Sequence, residues 1–163
     1  VSASKFKIGI CWQGGKSIID EGRSMHLSFF KDIANVPNVQ LISLHKGEGE
    51  DQISDVNFSL TTFGDDFDNG ADAFIDTAAV MMSCDLIITS DTAIAHLGGA
   101  LGCRTWVALQ HIPCWRWMHQ RFDSPWYPAI SLYRQNQAGN WDNVFDRLLQ
   151  DLRKLLAKQG INT

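Results

Sequence analysis

The chain has 163 residues, of which 45% are hydrophobic and 20% are charged. A chain of this size and composition buries enough apolar surface to fold, so we expect one globular domain over residues 1–163, without a long disordered segment. The formal net charge of -4 excludes the broad basic surface with which proteins bind nucleic acid or an anionic membrane. Any phosphate would have to be bound by a local site.

The cysteines and the apolar runs indicate the compartment. No apolar run approaches the roughly 20 residues of a membrane-spanning helix, and the first residues lack the pattern of a signal peptide. The four cysteines form no CxxC pair and fall mostly in strand or helix patterns, which is typical of buried thiols in a reducing compartment. We therefore expect a cytoplasmic protein without a membrane span.

Short apolar runs alternate with helix-like segments along the chain. We predict strands at residues 7–12, 39–44, 56–60, 86–89 and 105–109, with helices at 27–34, 71–84 and 93–101 between them. A last amphipathic helix follows Asn140, a good N-cap, and runs from residue 141 to 155. This order predicts an α/β fold with a doubly wound, mainly parallel, Rossmann-like sheet.

The most informative segment spans residues 85–109 and reads as a strand, a polar turn, a Gly/Ala-rich helix and a second strand. In such sheets ligands bind at the carboxyl ends of the strands, where helix N-termini present N–H groups to anions. Thr92 and His96 lie one helical turn apart, so we expect a hydroxyl and an imidazole to flank those N–H groups. The alternative is that Asp91 caps the helix and His96 packs into the core.

Two other strand ends carry glycine or polar residues, at Gly14-Gly15 and at Lys46-Gly47, which favours a ligand site at this edge. A basic residue in the loop after the first strand would neutralise a phosphate. Arg23 is the better candidate, because it precedes Ser24, the expected N-cap of the next helix. Lys16 is interpreted as a solvated surface residue.

Residues 45–52, HKGEGEDQ, follow the second strand, where Rossmann-like folds often bind a ribose or a base. The carboxylate of Glu48 and the polar groups of Lys46 and Gln52 suit that role. A charged turn whose acidic residues complement a helix dipole would have the same sequence, so both interpretations stand.

The segment after the fifth strand is rich in chemistry-bearing side chains. The spacing of its cysteines and histidines matches no familiar zinc pattern, so we expect no metal; these residues are Cys103, His111, Cys114 and His119. Residues 114–128, CWRWMHQRFDSPWYP, are aromatic and fit neither a helix nor a strand period. Their rings would stack a base or sugar, face another domain, or cover one edge of the sheet.

Several segments together resemble the carboxyl-terminal half of the family 9 glycosyltransferases, the heptosyltransferase-like group, in the version that follows tetratricopeptide repeats in bacterial proteins. They cover the chain from Lys7 to the terminal helix and read IGICWQG, GRSMHL, VQLISLHKGEGEDQ, DTAAVMMSCDLIITSDTAIAHLGGALG, WRWMHQRFDSPWYP and LYRQ.

The resemblance implies one half of a GT-B fold, the half that binds a nucleotide-diphosphate sugar in a metal-independent inverting glycosyltransferase. It implies that Arg23, beside Ser24, neutralises phosphate and that Glu48 holds the ribose, with Lys46 and Gln52 nearby. It also implies that the DT-x-x-x-H element contacts the donor diphosphate and sugar, through Asp91, Thr92, Ala93 and His96.

In the resembled family the catalytic base comes from the other half, so we expect no catalytic residue, no cofactor and no transfer by this chain alone. Its partners would be the nucleotide sugar and an amino-terminal domain, with tetratricopeptide repeats. Two departures from the family are the short segment from Lys16 to Asp20 and Cys114 in place of an aspartate. The alternatives are half of a nucleotide-sugar epimerase and a non-catalytic binding or scaffold module.

Overall fold

The computed structural model describes residues 5–15 and 22–162 and shows one six-stranded sheet. All strands are parallel, in the order β3-β2-β1-β4-β5-β6. This is the strand order of dinucleotide-binding doubly wound folds, so the predicted fold class is confirmed. The strands are β1 (Phe6–Cys11), β2 (Val39–Ser43), β3 (Leu60–Thr61), β4 (Leu86–Ser90), β5 (Thr105–Leu109) and β6 (Ile130–Arg134).

Helices cover both faces of the sheet, as the crossovers between parallel strands require. The α-helices are α1 (Lys31–Ala34), α2 (Ile75–Met82), α3 (Ala93–Ala100) and α4 (Asp142–Lys158). Short 3-10 helices lie at Leu27–Phe30, Glu50–Asp55 and Trp115–Trp117. None of the helices in the described ranges has the length and apolar character needed to cross a lipid bilayer.

The two faces of the sheet bury alternate residues of each strand. On β5, Trp106 and Ala108 face the layer that contains α1 and α4, whereas Val107 and Leu109 face the opposite layer. Helix α4 buries one stripe completely, consisting of Val144, Leu148, Leu152 and Leu156. Each such leucine stabilises the fold by about 1.5–3 kcal/mol relative to an exposed one.

Helix α3 packs closely on the second face because it contains two adjacent glycines. A Cβ at Gly98 would lie well under 3.0 Å from Oγ1 of buried Thr105, on the neighbouring strand. A Cβ at Gly99 would meet the ring of Tyr127 at a similarly short distance. The Gly/Ala-rich composition of this helix therefore sets how near it lies to β5 and to the aromatic segment.

The elements differ from the predictions in two strands and in one helix. Strand β6 was missed. Its side chains alternate between the two faces of the sheet, with Ile130 and Leu132 on one face and Tyr133 on the other, but the aromatic segment before it obscures this pattern. Strand β3 starts at Leu60, where the predicted strand of residues 56–60 ends. The predicted helix at 27–34 begins as a 3-10 turn before α1.

Two residues were predicted to be helix N-caps, Asn140 and Ser24. The N-cap position of α4 is Trp141 rather than the predicted Asn140, although Asn140 Oδ1 accepts a hydrogen bond from Asn143 N in the first turn at 3.1 Å. Ser24 is not an N-cap, and that prediction is wrong. His26 takes the position, its Nδ1 accepting from Ser28 N at 3.2 Å.

The sheet reverses its winding between β1 and β4. The segment after β1 leads to α1 on one face, and α3 follows β4 on the other. At such a switch point the connections part and leave a crevice outside the strand ends, where doubly wound folds bind their ligands. The position of a site is thus set by topology.

Candidate functional site

A cavity of about 390 Å³ lies outside the carboxyl ends of β1, β2 and β4. We call it the switch-point crevice. Its volume is in the range of ligand sites in proteins. Its lining includes Cys11, Gln13, Gly14, Gly15, Leu44, His45 and Lys46 from the first two strand ends, Asp68, Ala73, Phe74 and Thr77 from the segment leading into α2, and Thr92, Ala93 and Ile94 at the start of α3.

The start of α3 opens on this crevice. Thr92 is its N-cap, with extended backbone angles of φ -133° and ψ 176°, and Asp91 precedes it. Among the described residues, no side chain caps this helix and no acidic residue occupies its first turn. The first N–H groups of α3, beginning with Ala93, are therefore left to water or to an anion.

The Thr92 hydroxyl is turned toward the sheet. Its Oγ1 lies 3.1 Å from Oγ1 of Thr89 and 3.8 Å from Sγ of Cys11. Because the hydroxyl already has partners there, the backbone of α3 carries more of the anion-binding capacity than the Thr92 side chain does. The role of Thr92 toward a diphosphate stays a prediction.

Arg23 places a positive charge beside Gly14 and Gly15, which line the same crevice. Its guanidinium donates to the carbonyl of Gly15 at 3.3 Å and to that of Asp91 at 3.5 Å, so it joins the loop after β1 to the turn after β4. A Cβ at Gly14 would lie 2.9 Å from its Nη2. Ser24 Oγ accepts a hydrogen bond from Gly14 N at 3.3 Å. The switch point thus brings together four predicted site residues, namely Gly14, Arg23, Ser24 and Asp91.

His96 lies in a second cavity of about 460 Å³, which we call the aromatic pocket. Its Nδ1 is 3.2 Å from the hydroxyl of Tyr127, and its ring stacks on that of Trp117 with centroids 5.1 Å apart. Thr92 lines the switch-point crevice and His96 lines the aromatic pocket, and the role of His96 toward a donor stays a prediction. The aromatic pocket is lined by His96, Trp115, Arg116, Trp117, Trp126 and Tyr127.

The turn after β2 is held by two stacked rings. Trp12 and His45 stack with centroids 4.1 Å apart, and each donates to a carbonyl of this turn. Trp12 Nε1 lies 3.1 Å from Gly49 O, and His45 Nε2 lies 2.7 Å from Glu48 O. A carbonyl only accepts, so His45 carries its proton on Nε2. We call this arrangement the Trp12–His45 clamp.

Burial sets the charge state beneath the crevice. It lowers the pKa of His45 below its ordinary value, so this imidazole is neutral at pH 7. His45 Nδ1 lies 3.6 Å from Cys11 Sγ. Burial also raises the pKa of Cys11 to about 11, so the group is a thiol rather than a thiolate. The pair therefore adds no charge to the crevice.

The residues predicted to bind ribose or base have different surroundings. Gln52 bridges two segments, since its Nε2 donates to Gln13 Oε1 at 2.9 Å and its Oε1 accepts from Leu27 N at 2.8 Å. The exposed Lys46 donates to the carbonyl of Phe67. Glu48 projects from an exposed position of the clamped turn. Lys46 lines the switch-point crevice and Glu48 does not, and the Gln52 amide is already engaged.

Sequence reasoning missed the Trp12–His45 clamp and a carboxylate that organises the start of α2. Oδ1 of Asp68 accepts from Asp76 N at 2.9 Å, and Oδ2 of Asp76 accepts from Asp68 N at 2.9 Å. Each carboxylate thus accepts a hydrogen bond from the backbone N–H of the other residue, eight positions away in the sequence. No local sequence motif has this spacing. Only the HKG turn signalled His45. Lys16 lies outside the described residues.

The cysteines and histidines around residue 111 have other partners. His111 Nδ1 lies 3.1 Å from Gln135 O, and Cys114 Sγ accepts from Arg116 Nη1 at 3.0 Å. Within residues 5–15 and 22–162, no three His, Cys, Asp or Glu side chains are grouped as a metal site requires.

Comparison with known proteins places this geometry in context. No protein-family model matches the chain. Protein FlbA of Caulobacter vibrioides is 25% identical over 158 residues, which is 93% of this chain and 26% of FlbA. The chain thus spans about a quarter of the length of this curated relative.

The structure of E. coli ADP-heptose lps heptosyltransferase II is also similar, with a TM-score of 0.61 and 14% sequence identity. The match covers 98% of this chain and 49% of that chain. The chain has a heptosyltransferase-like, Rossmann-like fold, matching part of a GT-B glycosyltransferase.

Proposed function

We propose that this chain is the donor-binding half of a metal-independent inverting glycosyltransferase, and that its substrate is a nucleotide-diphosphate sugar. One observation carries the proposal: the uncapped start of α3 opens on the crevice between β1 and β4, and the guanidinium of Arg23 lies beside that crevice, on the carbonyls of Gly15 and Asp91. A diphosphate is the group that helix N–H donors and an arginine fork bind together.

The same groups suit the chemistry of glycosyl transfer. When the glycosidic bond breaks, negative charge develops on the leaving diphosphate. We propose that the first N–H groups of α3 and the Arg23 guanidinium, which the carbonyls of Gly15 and Asp91 hold in place, stabilise that charge without a metal. Asp91 contributes its carbonyl to orienting Arg23.

The clamped turn would hold the nucleoside part of the donor. It lies beside Lys46, which lines both the switch-point crevice and a neighbouring cavity of about 740 Å³ at the ends of β2 and β3. The carboxylate of Glu48 projects from this turn and is proposed to accept hydrogen bonds from the ribose hydroxyls. The stack of Trp12 on His45 holds the backbone of this turn through the carbonyls of Glu48 and Gly49.

An inverting displacement also needs a base beside the acceptor hydroxyl. In the crevice His45 is buried and donates to a carbonyl, so it is not placed to deprotonate an acceptor. We assign the base to another domain of a longer cytoplasmic bacterial protein, in which tetratricopeptide repeats precede this domain. The partial cover of both FlbA and the heptosyltransferase supports a longer parent.

Calorimetric titration with ADP, UDP and GDP, each alone and as a sugar conjugate, tests this proposal. Arg23→Ala should weaken binding by roughly tenfold or more, because a charge-assisted hydrogen bond is lost. Arg153→Ala, an exposed position on α4, is the control and should leave the affinity unchanged. Equal affinity in wild type and Arg23→Ala would refute the diphosphate site.

A further inference from the structure

The two helical layers of the domain differ in the surface that they turn to solvent. Helix α4, on one face of the sheet, has seven charged residues among its 17, and most of them are exposed. Helices α2 and α3, on the opposite face, together contain a single charged residue, Asp76. A helix that is apolar on all sides is typical of a protein interior. The outer side of the layer formed by α2 and α3 therefore has the composition of a buried surface.

The exposed side of α2 is apolar. Ile75 is 60% exposed, Met82 is 69% exposed, and Ala79 lies exposed between them. These residues are spaced by four and by three positions, so they share one face of the helix. The other side of α2 is already used, because Thr77 and Met81 are buried. The stripe of Ile75, Ala79 and Met82 is thus a second apolar face of the same helix.

Helix α3 repeats this pattern. Ala93 and Ala100 are exposed and Leu97 is half-buried, again at spacings of four and three positions. The two helices pack side by side, since Met81 of α2 and Ile94 of α3 belong to one buried cluster. Their outer stripes therefore form one continuous apolar surface. We call it the α2–α3 face, and it consists of Ile75, Ala79, Met82, Ala93, Leu97 and Ala100.

Charged residues border the α2–α3 face with opposite signs at its two ends. Beside the edge where the strands end are two exposed carboxylates, those of Asp72 and Asp76. Beside the edge where the strands begin are two exposed cations, Lys7 on β1 and Arg104 before β5. The carboxylate of Asp85 at that second edge accepts a hydrogen bond from Lys7 N at 2.7 Å. The face thus has a negative end and a positive end.

This charge pattern favours one occupant in one orientation. Helices α2 and α3 run parallel to each other, because each returns the chain to the start of the next parallel strand. A second copy related by a twofold axis across the helices runs antiparallel to the first, so the negative end of each copy meets the positive end of the other. A parallel arrangement would bring like charges together, which is unfavourable. The α2–α3 face is therefore complementary to itself.

We propose that this chain forms a twofold dimer through the α2–α3 face, with the helices of the two copies antiparallel. The apolar stripes would form the centre of the interface and the charged residues its rim, which is the usual anatomy of a protein–protein interface. Large exposed apolar surfaces on soluble domains mark such contacts. The inference is independent of the proposed function, since Ile75, Ala79 and Met82 do not line the switch-point crevice.

Sedimentation velocity and light scattering over a wide range of protein concentration test the proposal. Wild type should show an equilibrium between the mass of one chain and twice that mass. Ala79→Glu places a carboxylate in the centre of the interface, and Ala157→Glu, the matched control, places the same group on an exposed position of α4. Ala79→Glu should weaken the dimer by roughly 100-fold or more, because the twofold axis buries two unpaired charges. Ala157→Glu should dimerise as wild type does, and circular dichroism checks that both variants fold.

Charge reversal tests the orientation. Asp72 and Arg104 are exposed, and neither forms an ion pair within residues 5–15 and 22–162. Asp72→Lys and Arg104→Glu should each weaken the dimer by about 2- to 10-fold, because each places like charges together twice across the interface. A chain that carries both reversals should recover most of the lost affinity, since opposite charges then face each other again.

The proposal is overturned if wild type stays monomeric at every concentration, which would leave the α2–α3 face to another protein domain. Equal dimerisation of Ala79→Glu and Ala157→Glu would overturn it as well, since association would then use a different surface. If the double reversal dimerises more weakly than either single reversal, the antiparallel arrangement is wrong.

Discussion

Gly14→Ala tests whether the space beside β1 is kept open for Arg23. The new Cβ would lie 2.9 Å from Nη2 and 3.2 Å from Cζ of Arg23, closer than side chains normally approach. The guanidinium would have to leave the carbonyls of Gly15 and Asp91. The atoms that must move are at the end of a flexible side chain, so we expect little change in the free energy of unfolding.

The effect on binding should be much larger than the effect on folding. A hydrogen bond to a charged group contributes about 1.5–3 kcal/mol, which corresponds to roughly 12- to 140-fold in the dissociation constant of a nucleoside diphosphate. Gly15→Ala is the matched control, since no described atom lies within 4 Å of a Cβ there. It should bind as wild type does.

Calorimetry on the single variants and on Gly14→Ala combined with Arg23→Ala completes the test. Because the glycine acts only through the arginine, Gly14→Ala should cost nothing further once Arg23 is removed, which gives strong non-additivity. The reasoning is refuted if Gly14→Ala and Gly15→Ala weaken binding equally. Additive losses in the double variant would refute it as well.

Three further predictions concern packing, pH and activity. Gly98→Ala should lower the free energy of unfolding by about 1–3 kcal/mol in urea denaturation, because its Cβ meets buried Thr105; an unchanged midpoint would contradict the close packing of α3. Burial lowers the pKa of His45 in the folded state, so the unfolded state binds the proton first, and stability should fall as the pH drops below about 6.5. His45→Gln should flatten that decline and the exposed His119→Gln should not; identical pH profiles would contradict it. The chain alone should transfer no sugar, because the proposed function assigns the acceptor base to another domain, and EDTA should leave donor binding intact; robust transfer to a defined acceptor, or loss of binding in EDTA, would refute the half-enzyme proposal.

The topology explains why part of the site could be predicted. Parallel strands of a doubly wound sheet bring their carboxyl ends to one edge, so Gly14, Arg23 and Asp91 meet although up to 77 positions separate them in the sequence. The predicted edge followed from strand order, whereas Arg23 was chosen because it precedes Ser24, which is not the N-cap that was expected. Gly14 was predicted to belong to the donor diphosphate site because it follows a strand end, but its closeness to Arg23 is visible only in the three-dimensional structure.

Nonlocal packing explains why the rest could not be predicted. Helical periodicity puts Thr92 and His96 on neighbouring turns, but the aromatic segment folds around His96 and separates it from the crevice. Gln52 looked available for a ribose, whereas its amide is engaged by Gln13 and by Leu27. No pattern within a few residues encodes these contacts.

The central claim is that a nucleoside diphosphate binds at the start of α3, and amide NMR tests it most directly. A titration of the ¹⁵N-labelled chain with ADP and UDP should shift the backbone N–H signals of Ala93 and Ile94 more than those of helix α4. Saturable shifts at these two amides, lost in Arg23→Ala, are the predicted result. Binding that leaves both amides unmoved, or no binding by any nucleoside diphosphate, would contradict the account.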